Sequence, residues 1–174
     1  MKKIMFNDRH RLTQAVLEGC KTMTRRNSAE YAVGEVVAIA QCYDDIFALL
    51  NPKQADEVTY MNMKSIHNGK HRHKACINKM YVRADFMPHH IRIISRKLQR
   101  LQDITDEECL KEGVLQSDKF AMPFGILDAK APNGVFFYYS TPREAFAALV
   151  NKINKQGYWE SNPHVWAYEF ELVD

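Results

Sequence analysis

"GCKTMTRRN", Gly19 to Asn27, sets Lys21, Thr22, Thr24, Arg25 and Arg26 within six positions directly after an apolar-periodic run. How its backbone runs decides what the chain can build there. In an extended strand side chains alternate, so Lys21 and Thr24 point to opposite faces. In a tight loop they converge, and Gly19 gives the backbone the latitude to turn into one. Two readings therefore stay open from the residues alone: a cleft in which Lys, Thr and Arg meet, and a solvated basic turn whose threonines bond to the local backbone.

Upstream, "KKIMFN" reads as a short opening strand. "DRHRLTQAVLEG" then reads as a helix of about three turns, with Asp8 as N-cap, apolar positions at Leu12, Ala15, Val16 and Leu17, and Gly19 as the stop. Downstream, "VGEVVAIAQCY" is rich in small and β-branched residues and predicts a buried strand. "KMYVRADF" and "HHIRIISRKLQRLQ" predict two more strands, separated by Met87-Pro88. "DITDEECLKEGV" is a short helix with Thr105 as N-cap and acids in its first turn. "TPREAFAALVNKINKQG" is a longer helix, with Thr141 as N-cap, Pro142 in the first position and Glu144 completing a capping box. "HVWAYEFELVD" closes the chain as a strand. Between these elements, about 44–79 and 115–140 read as loop-rich insertions, because they hold Pro and Gly and lack a sustained period. Non-consecutive strands mixed with three short helices predict an α+β fold around a curved sheet or small barrel, with residues 1–174 as one domain.

Composition sets outer limits on function. The chain of 174 residues carries 24 Lys and Arg against 21 Asp and Glu, and a net charge of +3 does not by itself mark a nucleic-acid binder. Local clustering has to carry any electrostatic argument. No apolar run is long enough to span a membrane, and the basic start meets Asn7, Asp8 and Arg9 before any signal-peptide core forms, so no membrane partner is expected. Four scattered cysteines without a CxxC pair predict a reduced, cytoplasmic setting.

Gly19, Lys21, Thr24 and Arg26 match the GxKxxTxR signature of the ASCH domain. The segment "LQDITDEECLKEGV" resembles that family's stretch ending in Glu-Gly, and "WAYEFELVD" resembles its last strand, in the family order. The resemblance implies a PUA-like small curved β-barrel with flanking short helices, and the long insertions look like those of phage and prophage members. It implies binding of RNA or a modified nucleoside in a cleft built on the motif, with Gly19, Arg25 and Arg26 contacting the ligand and with no cofactor or metal. One branch resembling this signature is an amidohydrolase for acetylcytidine; carried over, its nucleophile falls on Thr24, its base on Lys21 and its acid on Glu112. A Thr hydroxyl attacks an amide only when a neighbouring base takes its proton, and Lys serves if burial or nearby Arg lowers its pKa. Phosphate or carboxylate binding by Lys21 and Arg26 needs no such shift. A ribonuclease and a phage-associated interaction protein are further alternatives.

Other clusters offer weaker signals. Arg92, Arg96 and Arg100 recur every four residues and share one strand face, a stripe suited to phosphates or to keeping an exposed edge soluble. Lys70, Arg72 and Lys74 form a second candidate nucleic-acid contact in "HNGKHRHKACINK". His71, His73 and Cys76 of that segment supply three ligands where zinc needs four, so it reads as a basic loop.

Overall fold

The computed structural model describes residues 1–119, 121–129 and 134–174. In chain order the elements are β1 (Lys3–Ile4), α1 (Leu12–Leu17), β2 (Met23–Arg26), β3 (Val36–Ile39), α2 (Tyr43–Ile46), α3 (Pro52–His67) and α4 (Lys74–Ile77). There follow β4 (His90–Arg100), α5 (Asp106–Lys111), β5 (Leu115–Gln116), β6 (Phe124–Asp128), β7 (Val135–Tyr139), α6 (Pro142–Ile153) and β8 (His164–Leu172). The fold is mixed α+β. The five-stranded sheet, in the order β1-β3-β4-β8-β2, ends on two different strands, and so does the three-stranded β5-β6-β7 sheet. Neither closes, so the expected small barrel is replaced by open sheets. Among the described residues no helix is long and apolar enough to cross a membrane.

Contacts gather the chain into two compact units, each assembled from separated segments. The first unit comprises Met1–Phe6, Val36–Ile91 and Val173–Asp174. Here β1 runs parallel to β3, with Lys3 opposite Ala38 and Ile4 opposite Ile39. Its core holds Tyr43, Ile46, Val58, Val82 and Phe86, with Tyr43 and Phe86 ring centroids 5.5 Å apart. The stretch at about 44–79, expected to be loop-rich, is largely helical. Asn51 caps α3 by accepting from the Gln54 amide at 3.0 Å, the Asn51 amide donates in return to Gln54 Oε1 at 3.1 Å, and Pro52 presets the first turn. Pro52 thus starts a helix instead of punctuating a loop. The expected strand "KMYVRADF" is two 3₁₀ turns, Lys79–Tyr81 and Ala84–Phe86. The Asn78 side chain accepts from the Met80 amide at 2.9 Å, which bends the backbone before a ladder can form.

The second unit comprises Asn7–Glu35 and Arg92–Leu172. β8 lies between β4 and β2, and β2 pairs with it antiparallel, setting Thr24 opposite Tyr168 and Arg26 opposite Trp166. The stretch at 115–140 is also not simply a loop: β6 and β7 pair antiparallel there from Phe124–Tyr139 to Asp128–Val135. Residues 120 and 130–133 of that stretch lie outside the described residues. α5 and α6 start as expected, with Thr105 and Thr141 each closing a capping box. α6 buries Ala145, Phe146, Leu149 and Val150, one stripe at helical spacing.

The expected helix from Asp8 is split. Asn7, not Asp8, provides the cap, accepting from the His10 amide at 3.3 Å, and a 3₁₀ turn Asp8–His10 precedes α1. Arg11 between them sits at φ 54°, a left-handed conformation that costs an L-residue about 1–2 kcal/mol. Its neighbours over-determine it. Thr13 Oγ1 donates to Asp8 at 2.5 Å, and the Arg9 guanidinium forks onto Asp128 at 2.7–2.9 Å.

Candidate functional site

The motif is neither all strand nor all loop. Gly19 ends α1 at φ 73°, in the left-handed region that favours glycine, and the chain becomes extended only at Met23. Before that, the Thr22 amide donates to Lys111 O at 2.9 Å, which ties the motif to the last turn of α5. Glu112 is the residue that caps this turn, and Gly113 follows it at φ 100°.

This arrangement brings Lys21 and Glu112 together across 91 residues of sequence. Lys21 Nζ donates to Glu112 Oε2 at 2.7 Å, to Glu112 O at 2.7 Å and to Met23 O at 2.6 Å. An ammonium has three protons, and three acceptors surround this one. The bond to Glu112 O also satisfies a carbonyl at the end of α5 and sets a cation at the negative end of the helix. The side chains are 2% and 7% exposed. Burial pushes the Lys21 pKa below the ordinary lysine value, against the pull of Glu112, while Arg26 and Arg25 press it further down.

Arg25 completes the cluster from β2. Nη1 donates to Glu112 Oε1 at 2.9 Å and Nη2 to Glu108 Oε2 at 2.6 Å, so one guanidinium bridges two carboxylates. Its side chain is only 4% exposed, and its Cζ lies 5.8 Å from the Phe146 ring centroid. Arg25, expected to contact a ligand, is therefore placed inside the cluster, with both of its terminal nitrogens on carboxylates. Glu108, read from sequence only as a first-turn acid, is a full member; a carboxylate four residues before Glu112 on one helix face was the available signal.

Thr24 falls on the other face of the β2–β8 pair by strand alternation, together with Arg26, Trp166 and Tyr168. It is buried, and among the described residues its hydroxyl makes no hydrogen bond. Lys21 and Glu112 are thus joined directly, and the Thr24 hydroxyl is not. The face that carries Thr24 is aromatic and cationic in a way the sequence did not flag. Tyr31 meets Tyr168 edge to face with centroids 5.5 Å apart, and the Arg96 guanidinium lies 5.3 Å from the Trp166 centroid. Burial pushes the Tyr31 phenol up to about 12, which keeps it protonated.

Of the arginine stripe, Arg96 also donates to Tyr31 O at 3.1 Å, Arg92 pairs with Glu171 at 3.1 Å and Arg100 donates to Asn162 O at 3.2 Å. All three remain exposed along β4. Lys70, Arg72 and Lys74 are exposed in the first unit, with Arg72 paired to Asp44 at 2.6 Å and Lys74 set 5.0 Å from the Tyr81 centroid. His73 serves as the cap of α4, its Nδ1 accepting from the Ala75 amide at 3.3 Å. Among the described residues no group of three or more His, Cys, Asp or Glu side chains is placed to hold a metal ion. Comparison with protein-family models, with curated proteins and with solved structures found no match to this chain.

Proposed function

We propose that this chain is an ASCH-type module that binds RNA or a modified nucleoside at the face carrying Thr24 and Arg26. The observation that carries the reading is the saturated ammonium of Lys21, whose three protons meet Met23 O, Glu112 O and Glu112 Oε2. A general base needs an open lone pair, and an ammonium with all its protons committed has none. Lys21 then acts as a charged strut that locks α5 to the motif. Recognition falls to the Thr24 hydroxyl, to the arginines and to the half-buried ring of Trp166, residue types that hold phosphates and stack on bases, while the rings of Tyr31 and Tyr168 belong to the core beneath that face. The open strand order departs from a PUA-like barrel, so the family likeness rests on the motif and its meeting with Glu112.

The amidohydrolase is the second reading, favoured by that same meeting: the base and acid of the resemblance, far apart in sequence, lie 2.7 Å from each other. The lowered Lys21 pKa points the same way, since substrate that displaced Glu112 would leave an amine ready to give up its proton.

Incubation of the purified chain with acetylcytidine under mass detection, alongside titration into labelled short RNAs at several salt concentrations, separates the two. For the module, acetylcytidine comes back intact, RNA affinity falls steeply with salt, and Thr24→Ala weakens binding by about fivefold, the net worth of one hydrogen bond. Deacetylation that Thr24→Ala abolishes would establish the enzyme instead. A chain that neither binds nor turns over would end both readings.

A further inference from the structure

Within the second unit, a cavity of about 120 Å³ is lined by Leu12 and Ala15 of α1, Ile126 and Leu127 of β6 and Leu149 of α6. Leu115 and Phe136 also line it, and both are exposed, which puts them at its mouth. The outer rim carries the exposed Arg11, Gln14 and Glu18. Neither Lys21, Thr24 nor Glu112 is among the lining residues, so the cavity lies outside the site proposed above.

One buried polar side chain interrupts the apolar wall. His10 is 6% exposed, and its Nδ1 lies 2.7 Å from Leu127 O. A carbonyl can only accept, so Nδ1 carries the proton of this bond, and in the tautomer that this selects Nε2, on the far side of the ring, is the acceptor. Among the described residues nothing hydrogen-bonds to Nε2. The turn that holds this ring is the one with Arg11 in the left-handed conformation, kept there by the Arg9–Asp128 fork and the Thr13–Asp8 bond. Strain that the surroundings over-determine collects at ligand sites, because it fixes a side chain where relaxed backbone would not.

The geometry points to a second binding site, for a small monocyclic phenol whose ring fills the apolar cavity and whose hydroxyl donates to His10 Nε2. Size and polarity both select this class. An apolar cavity of roughly 150 Å³ takes up benzene, and this one is a little smaller but open on one side. A pyrimidine base would press several polar edge atoms against Leu and Ile walls without partners, so the nucleoside of the motif site does not fit here. A single hydroxyl matches a single acceptor, the usual way in which an apolar pocket fixes orientation.

Isothermal titration of the full chain with phenol and with benzene tests this. Expected is saturable one-site binding of both, with phenol about fivefold tighter. His10→Asn keeps a donor for Leu127 O but is too short to set an acceptor where Nε2 stood, so phenol affinity should drop to the benzene level while benzene is unchanged. Ala15→Leu fills the cavity from α1 without touching His10 and should abolish both. Absence of saturable binding in the wild type, phenol no tighter than benzene, or phenol binding that survives Ala15→Leu would each overturn the inference. The wild-type comparison and Ala15→Leu decide it even if His10→Asn does not fold.

Discussion

Glu112→Gln is the substitution that most directly probes the buried cluster. The carboxylate accepts from Lys21 at 2.7 Å and from Arg25 at 2.9 Å, and its side chain is 7% exposed. Glutamine keeps the shape and one acceptor oxygen but loses the charge, leaving Lys21 and Arg25 close together with Glu108 as the remaining carboxylate. Breaking a buried pair in this way costs about 3–5 kcal/mol, a large part of the stability of a typical domain. At a urea dependence of about 2 kcal/mol per molar, the unfolding midpoint should fall by about 1.5–2.5 M. Both tryptophans, Trp159 and Trp166, lie in the second unit, so their fluorescence follows the unit that holds the cluster. Lys21→Met should be costly alone, and far less so when Glu112→Gln is already present, because the two side chains share one interaction. A midpoint shift below roughly 0.3 M, or costs for the two substitutions that simply add, would refute the view of Lys21 and Glu112 as a coupled strut.

The lowered Lys21 pKa gives a pH signature with a definite sign. Between the folded value and 10.5 the unfolded chain holds one proton more, so stability should rise with pH across that window and level off above it, and Lys21→Met should remove this slope in urea titrations. Gly113→Ala would set a Cβ 2.9 Å from Leu12 Cδ2 at a residue with φ 100°. Adding the left-handed penalty to the overpacking gives about 2–5 kcal/mol, seen in a thermal scan as a loss of roughly 4–20 °C. Thr141→Ala removes an oxygen that accepts from the Glu144 amide at 3.1 Å and should cost about 1 kcal/mol by urea unfolding. A thiol reagent added to the native protein should modify the exposed Cys20 quickly and spare Cys109, which is buried and whose pKa burial pushes up to about 12.

The elements that sequence reveals best here are those whose signals are local. Thr105 and Thr141 announce α5 and α6 because a capping box is written in four consecutive residues, and β8 follows from its apolar and aromatic run. α3 carried the same kind of signal in Asn51, Pro52 and Gln54, but its helix is polar and buries only Val58 fully, so no apolar stripe draws attention to it. β6 and β7 are hidden for a different reason: they bond to each other, and a hairpin with glycine and proline around it reads as loop until its pairing is known. The contact of Lys21 with Glu112 is a tertiary fact with no local trace. Only the likeness of two distant segments to one family suggested it. Even that likeness did not reveal that Arg25 turns inward to bridge two carboxylates, or that Tyr31, Trp166 and Tyr168 share the face of Thr24.

Glu108 Oε2 has two duties, accepting from Arg25 Nη2 at 2.6 Å and from the Thr105 amide at 3.2 Å. The same oxygen therefore closes the first turn of α5 and holds the guanidinium of β2. Whatever loosens Arg25, whether an arriving anion that draws it away or a lysine that cannot span both carboxylates, also frees Glu108 to let the helix start fray. Amide hydrogen exchange at Thr105 consequently acts as a remote gauge of the motif, reading the state of β2 from the opposite end of α5 without a label at the site.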